Sequence, residues 1–300
     1  MRIAVAICSV GRPDSLAAIL PWVDRQTEPP SEIVLAVTKE GDLPDLSVLD
    51  LKTKVSVLIC KKGLPRQRNV ALEALMPRSD AIFFIDDDYI PSGSAIAGIK
   101  RAFSAFPEAS GFTGNLLADG IHTGGISFAD AGEIVQKCEA IAPQGAVSAL
   151  RRNLVGLYGC NMVYRTNRIG MERFDERLPL YGWQEDVDFA SRVQGEMIKT
   201  DAFYGVHCGV GGGRETSGHL LGYSQIANVA YLLKKGSLPL GFSLRLIGRN
   251  ILSNHIKIFR PEAWIDRTGR ARGNRLALMD LLRGQAAPEK ILEMLPDKPG

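Results

Sequence analysis

A chain of 300 residues, 45% of them hydrophobic, is long enough to fill a real core, and 36 Lys and Arg against 33 Asp and Glu leave a net charge of only +3. That balance excludes a protein whose main business is coating nucleic acid. The five cysteines, Cys8, Cys60, Cys138, Cys160 and Cys208, are odd in number and form no CxxC pair, which argues against a disulfide framework or a zinc knuckle and for a reducing compartment.

The first third alternates short apolar runs with stretches of helical spacing, which predicts strands joined by crossover helices in a mostly parallel sheet. Ile3 to Val10 is the first strand; it breaks at Gly11, Arg12, Pro13 and Asp14 with no small-residue cleavage site, so it does not read as a signal peptide. Leu16, Ile19, Leu20 and Val23 form the crossover helix, and Glu32 to Val37 and Val55 to Cys60 are the next two strands. Arg66 to Leu75 is a second helix and Ala81 to Ile85 a fourth strand. Ligands of such sheets bind beyond the carboxyl ends of the strands, which singles out Val10 to Arg12, Thr38 to Asp42, Lys61 to Arg68 and Asp86 to Asp88. The middle, from Gly111 to about Gly205, is punctuated by glycine and holds a helix from Glu185 to about Gln194. A segment with Gly209, Gly211, Gly212 and Gly213 follows, and Leu220 to Leu295 reads as helices separated by loops containing Pro239, Pro261 and Pro288. No run reaches the roughly 20 apolar residues of a spanning helix, so the expectation is a cytoplasmic, soluble protein, attached at most to the face of a membrane.

Two acidic clusters carry the chemistry. In FFIDDDYIP, Asp86, Asp87 and Asp88 follow an apolar strand. Alternation along extended backbone points Asp86 and Asp88 to one side and Asp87 to the other. Adjacent carboxylates repel, and a site that keeps them ionised together usually supplies a divalent cation; oxygen ligands suit Mn²⁺ or Mg²⁺ bridging to substrate phosphates. A solvated acidic turn or a helix N-cap is the alternative. In FDERLPLYGWQEDVDFASR, Glu185 and Asp186 open a helix, where the dipole favours acids whatever their function. Tyr181, Gly182 and Trp183 set a flat apolar wall beside them, on which a sugar can stack while a carboxylate takes a hydroxyl proton. Asp188 and Arg192, four apart, are expected to form a surface pair, with Phe189 and Val193 facing the core.

These residues resemble the inverting family 2 glycosyltransferases of the GT-A fold, over most of the chain. Arg12 and Pro13 follow the first strand, and Gln26 and Glu32 match the family's passage into the second. GLPRQRN, with Arg68 and Asn69, is similar to a segment that lies against the nucleotide in relatives, and FFIDDDYIP is similar to the metal-binding DxD strand end. GCNMVYR, with Gly159, Asn161 and Met162, resembles the segment before the acceptor site, and the Glu-Asp pair of FDERLPLYGWQEDVDFASR carries the general base in relatives. Relatives often hold uracil with an acid after the second strand, whereas here that strand ends in Val37 and Thr38, with Asp42 the nearest acid.

The resemblance implies a GT-A fold with a helical C-terminal extension, divided into a nucleotide-sugar and metal half over 1–115, an acceptor half with base and mobile loop over 116–220, and helices over 221–300. It implies Asp86, Asp88 and His207 as ligands of Mn²⁺ or Mg²⁺, with His219 the weaker rival to His207. Donor contacts are Val10, Arg12, Thr38, Arg68, Asn69, Asp86, Asp87, Asp88 and Arg214, the last presented by the glycine segment acting as a lid. Acceptor contacts are Asn161, Met162, Gly182 and Trp183; the base is Asp186, with Glu185 second. The partners are a nucleotide diphosphate sugar and a sugar or lipid-linked sugar acceptor, in polysaccharide or glycolipid assembly, with no nucleic acid. From Phe242 to Arg260, apolar residues mix with Arg245, Arg249, Lys257 and Arg260, a pattern of an ordinary packed helix that also suits peripheral contact with anionic lipid. The tail around Arg267, Gly269, Arg270, Arg272 and Gly273 resembles family tails. A sugar-phosphate nucleotidyltransferase and a non-catalytic carbohydrate-binding protein are the rival readings.

Overall fold

The structure is a computed structural model that describes residues 1–141, 147–209 and 217–295. It divides into two compact units, one of Met1–Lys62, Arg66–Phe174 and Arg192–Val210, the other of Gly63–Pro65, Asp175–Ser191 and Gly211–Gly300. Val210 and the glycine segment with Gly211, Gly212, Gly213 and Arg214 lie outside the described residues, so the expected lid does too.

The first unit is built on a nine-stranded sheet, in which β1 (Ile3–Cys8), β2 (Ile33–Val37), β3 (Val55–Ile59) and β4 (Ala81–Asp86) run parallel in the order β3-β2-β1-β4. The side chains of β2, and of β1 and β4 up to their last residues, are aliphatic or aromatic and buried on both faces, as a strand covered on both sides requires, whereas the edge strand β3 carries Ser56 and is only half-buried. Ile3, Val5, Ile7, Ile33, Leu35, Phe83 and Ile85 belong to one core with the crossover helix α1 (Pro13–Asp24) and with α3 (Ala95–Ala105). The helix α2 (Leu64–Leu75) precedes β4, and β5 (Tyr89–Pro91) follows it.

Past β4 the sheet is mixed. β8 (Asn161–Arg165) is antiparallel to β4 and to β6 (Ala109–Asp119), β9 (Glu196–His207) is parallel to β6, and the short β5 and β7 (Ala149–Arg151) run antiparallel to β9. Helices α4 (Phe128–Ile141) and α5 (Thr166–Ile169) complete this unit. The parallel half matches the sequence reading to within two residues at each strand end. The mixed half was not separated into strands by its composition, because glycines interrupt its apolar pattern.

The second unit holds α6 (Glu185–Arg192, its last residue belonging to the first unit), α7 (Gly218–Lys235), α8 (Leu240–Ile256) and α9 (Arg267–Leu282). Glycine sets how closely α7 and α9 meet: a Cβ on Gly222 would stand 2.1 Å from the Arg270 carbonyl oxygen, and one on Gly273 2.1 Å from that of His219. The tail segment with Gly273 is thereby explained as packing. Its Arg267 is spent on Glu262 and on Asn254 of α8, at 2.8 and 3.0 Å.

Candidate active site

Three strand ends converge. β4 stops at Asp86, the chain turns through Asp87 and Asp88, and β5 pairs with β9 so that Tyr89 is opposite His207. The parallel pairing of β6 with β9 puts Asp119, the last residue of β6, opposite His207 as well. The Cys208 amide donates to the Asp88 carbonyl at 2.8 Å, fixing the turn to the end of β9.

The side chains follow from that register. His207 Nε2 lies 3.2 Å from Asp88 Oδ1 and 4.0 Å from Asp86 Oδ2, while its Nδ1 is 3.0 Å from Asp119 Oδ1. Asp86, Asp88 and His207 each offer one ligand atom, all within 4.8 Å of one another. Asp119 also accepts from Tyr158 Oη at 2.8 Å. Asp87 turns the other way, accepting from Ser9 Oγ at 2.6 Å and from Arg12 Nη1 at 2.8 Å; that guanidinium is 3.7 Å from Asp88.

Charge crowding shows in the proton affinities. Burial raises the Asp87 carboxyl to about 6 against the pull of Arg12. Burial would lower His207, but its hydrogen bonds to Asp119 and Asp88 raise it to about 10. Burial would raise Asp119, yet the bonds from His207 and Tyr158 hold it down at about 2. His207 thus lies among three carboxylates that favour positive charge there, and a divalent cation between Asp86 and Asp88 would answer the same excess of negative charge. The donor set fits such an ion: two hard carboxylate oxygens suit Mn²⁺ or Mg²⁺, an imidazole nitrogen suits Mn²⁺ better, and a carboxylate on the far ring nitrogen orients the ligand histidine.

Arg68 is buried beside Asp86, 3.2 Å from its Oδ1, and donates to the Gly159 carbonyl at 2.9 Å. Asn69 brackets the backbone of Phe174, donating to its carbonyl at 2.9 Å and accepting from its amide at 2.8 Å. Val10 follows β1 and is half-buried. Thr38 donates its hydroxyl to Asp42 Oδ2 at 2.6 Å. Asp42 is fully buried, also accepting from the amides of Gly11 and Thr38 at 2.9 Å, so it braces the loops after β1 and β2 instead of facing a base. Asn161 and Met162 are at 0% exposure inside the sheet, where Asn161 takes the Thr113 hydroxyl and Met162 pairs with Phe84, so neither offers surface to an acceptor. His219 stands in the first turn of α7.

The second unit carries the other acidic cluster. Before α6 the backbone is left-handed at Leu180, Gly182 and Gln184, with φ of 59°, 66° and 70°. Leu180 and Gln184 bear side chains in that conformation, a strain that persists only where surroundings enforce it. Here the Leu64 amide donates to the Leu180 carbonyl at 2.8 Å, and Asn228 Nδ2 to the Trp183 carbonyl at 3.0 Å. Glu185 is buried and Asp186 half-buried, with Asp186 Oδ1 accepting from the Val187 amide at 2.9 Å. Trp183 Nε1 and Gln184 Oε1 are buried without a hydrogen-bond partner among the described residues. The surface pair expected of Asp188 is corrected: Asp188 is at 0% exposure, 2.9 Å from Lys235 Nζ, and accepts from Ser237 Oγ at 2.6 Å. Arg192 donates to Glu172 and to the Arg173 carbonyl. Phe189 and Val193 are buried as expected.

Asp119, Ser9 and Tyr158 were missed. The rule that found Asp86 finds Asp119 too, since it ends an extended run, GFTGNLLAD, but the two glycines hid the strand.

No family model and no curated protein matches this sequence. Solved structures do. The mannosyltransferase PcManGT from Pyrobaculum calidifontis, in complex with GDP-Man and Mn²⁺, is similar with a TM-score of 0.54 at 14% identity, over 98% of this chain and 78% of that one. S. aureus TarS gives 0.49 at 16% identity over 87% of this chain, which spans 44% of the length of TarS. Glucosyl-3-phosphoglycerate synthase from Mycobacterium tuberculosis gives 0.42 at 12% identity, over 64% of this chain and 66% of that one. On the likeness to the mannosyltransferase, the chain has the GT-A fold.

Proposed function

We propose that this protein is a metal-dependent, inverting glycosyltransferase that moves a sugar from a nucleotide diphosphate onto an acceptor hydroxyl, in polysaccharide or glycolipid assembly. The observation that carries the reading is the cluster of Asp86, Asp88 and His207 at the carboxyl end of a parallel strand, with Asp119 behind the imidazole. That is where an open α/β sheet receives its ligand. PcManGT, which shares the fold, is a mannosyltransferase solved with GDP-Man and Mn²⁺.

Asp86, Asp88 and His207 would hold the ion. A divalent cation there supplies neutralisation of the diphosphate as it departs. Arg12 lies against Asp87 and Asp88, so it holds the carboxylate turn in place and adds positive charge beside it. The Asp186 carboxylate takes the acceptor proton as the hydroxyl oxygen bonds to the anomeric carbon and the bond to the diphosphate oxygen breaks on the opposite face, which inverts that centre. Asp186 is favoured over Glu185 because it is half-buried while Glu185 is 4% exposed. The unpartnered Trp183 N–H and Gln184 carbonyl are a donor and an acceptor suited to sugar hydroxyls.

The test is thermal-shift screening of nucleotide sugars with and without Mn²⁺, followed by product analysis with the donor that binds. Stabilisation by one nucleotide sugar in Mn²⁺ and not in EDTA is expected, because a ligand of the native state alone raises its melting temperature. Turnover of a sugar phosphate with a nucleoside triphosphate would replace the reading by nucleotidyl transfer. Donor binding with no transfer or hydrolysis would leave a carbohydrate-binding protein.

A further inference from the structure

Helix α8 packs Leu246, Phe242, Ile247 and Ile251 against the cores of its unit and carries a further row of apolar residues on the outside. Its buried positions are Ser243, Leu246, Asn250 and Asn254, three of them polar. Two of the three are held by hydrogen bonds: Ser243 donates to the Pro239 carbonyl at 3.1 Å, and Asn254 donates to Gln225 of α7 at 2.7 Å and to Asn274 of α9 at 2.9 Å. The outward residues Leu240, Leu244, Leu252 and Ile256 are 58–61% exposed, and Phe259, just beyond the helix, is 87% exposed. Scattered exposed leucines need no explanation, but these are successive members of one i, i+4 row, interrupted only by Gly248.

A second exposed row runs beside the first. Arg245 and Arg249 are exposed and one position along from Leu244 and Gly248, Ser253 and Lys257 fall at the same spacing, and Arg260 is exposed beyond the helix end. From Leu240 to Arg260 there is no Asp or Glu. Lys257 is paired with Glu262, so Arg245, Arg249 and Arg260 carry most of the field. At 17 residues the helix is about 25 Å long, and none of the described helices is long and apolar enough to cross a membrane. Apolar residues exposed along one row and cations along the next are the requirements for lying in the headgroup region of a bilayer, aliphatic row down and guanidinium groups at the phosphates.

We infer that the outer face of α8, continued through Phe259 and Arg260, docks the protein on an anionic membrane surface. A second copy of the chain would cover the aliphatic row but would set these arginines against arginines in a symmetric contact, which disfavours that occupant. The inference concerns the second unit alone and stands or falls independently of glycosyl transfer, since its test contains no nucleotide sugar.

The experiment is flotation of the full chain with vesicles of phosphatidylcholine alone and of phosphatidylcholine doped with phosphatidylglycerol, at low and high salt, with sedimentation velocity alongside. The chain should float with the anionic vesicles, less at high salt and little with neutral ones. Arg245→Gln with Arg249→Gln should lower the anionic partition coefficient about 30-fold. Leu244→Gln with Leu252→Gln should lower it roughly tenfold or more while melting like the parent, because both sites are exposed. Absence of flotation with anionic vesicles, or equal flotation of the parent and both variants, overturns the inference. So does a parent dimer that the leucine variant turns into a monomer without any vesicle binding.

Discussion

The carboxylates at the end of β4 and the Glu185–Asp186 pair that opens α6 are positioned by different means. At β4 each carboxylate faces a named counter-group: Asp86 has Arg68, Asp87 has Ser9 and Arg12, Asp88 and Asp119 have His207. At α6, Glu185 and Asp186 stand on a helix start reached through Leu180, Gly182 and Gln184 in left-handed conformation. The first arrangement fixes charges in space so that a cation can be received with little rearrangement. The second fixes a backbone, and the side chains inherit their direction from it. Substitutions should therefore act on ion and donor binding in one region and on turnover in the other.

The largest effect is expected from Asp88→Ala. Loss of a ligand together with the partner of His207 should weaken donor binding in Mn²⁺ and reduce turnover by about 10³-fold or more, the equivalent of several kcal/mol of charge stabilisation. Calorimetry of donor binding in Mn²⁺ and in EDTA checks this: parent and variant should differ in the first and agree in the second, and equal affinity in Mn²⁺ would remove the ion from the site. Asp186→Asn should leave donor affinity in place and lower turnover by about 10² to 10⁴-fold, the usual range for removing a general base. If Glu185→Gln takes the loss instead, the base moves one residue; if both variants turn over normally, the α6 cluster is structural. Asp188→Asn in the same helix should keep turnover per folded molecule but lower stability by about 1–3 kcal/mol, since it uncouples a buried carboxylate from Lys235 and Ser237.

The contrast also marks how far sequence carries. β1 to β4 and the acidic strand end were legible because apolar runs of strand length are readable one by one, and the position of three aspartates at the end of such a run favours a ligand site over a solvated turn or an N-cap. Asp119 was not, since a strand opening Ala-Ser-Gly and interrupted by Gly114 has no period to read, and the partnership of Asp119 with His207 exists only through the β6–β9 register. Asp188 and Arg192 have helical spacing, and spacing predicts proximity on a helix; it does not say that Lys235 and Ser237 enclose the aspartate. The GCNMVYR string was read for its likeness, and burial of Asn161 and Met162 turns it into the strand beside Asp86.

Between these extremes lies Asp119→Asn. The asparagine keeps the shape but loses the charge that orients His207, so Mn²⁺ should bind about 10 to 100-fold more weakly, the usual cost of losing the outer partner of a ligand histidine. Titrating turnover against Mn²⁺ separates positioning from chemistry: activity should return toward the parent value at high Mn²⁺. An unchanged Mn²⁺ midpoint with a permanently low maximal rate would mean that Asp119 touches the reaction itself.

The smallest effect on turnover, and the sharpest test of bracing without catalysis, is expected at Asp42. This carboxylate is at 0% exposure and takes hydrogen bonds from the Gly11 amide and from the amide and hydroxyl of Thr38, joining the loops after β1 and β2. Burial would raise its pKa, but those bonds outweigh burial and hold it below the ordinary carboxylate value. A depressed folded-state pKa contributes stability that is fully present above the unfolded value, near pH 4, and is lost as pH falls through the folded one. Asp42→Asn is uncharged throughout and sets an amide N–H₂ against backbone donors. It should lower the unfolding free energy by about 1–3 kcal/mol at neutral pH, with the difference shrinking as the parent loses its advantage in acid. Urea unfolding of both proteins at neutral pH and at about pH 3 measures it. A difference that stays constant between the two conditions would show that the charge on Asp42 contributes nothing beyond its shape, and a neutral-pH variant with normal stability but lost donor binding would mean that this residue acts on the donor and not as a brace.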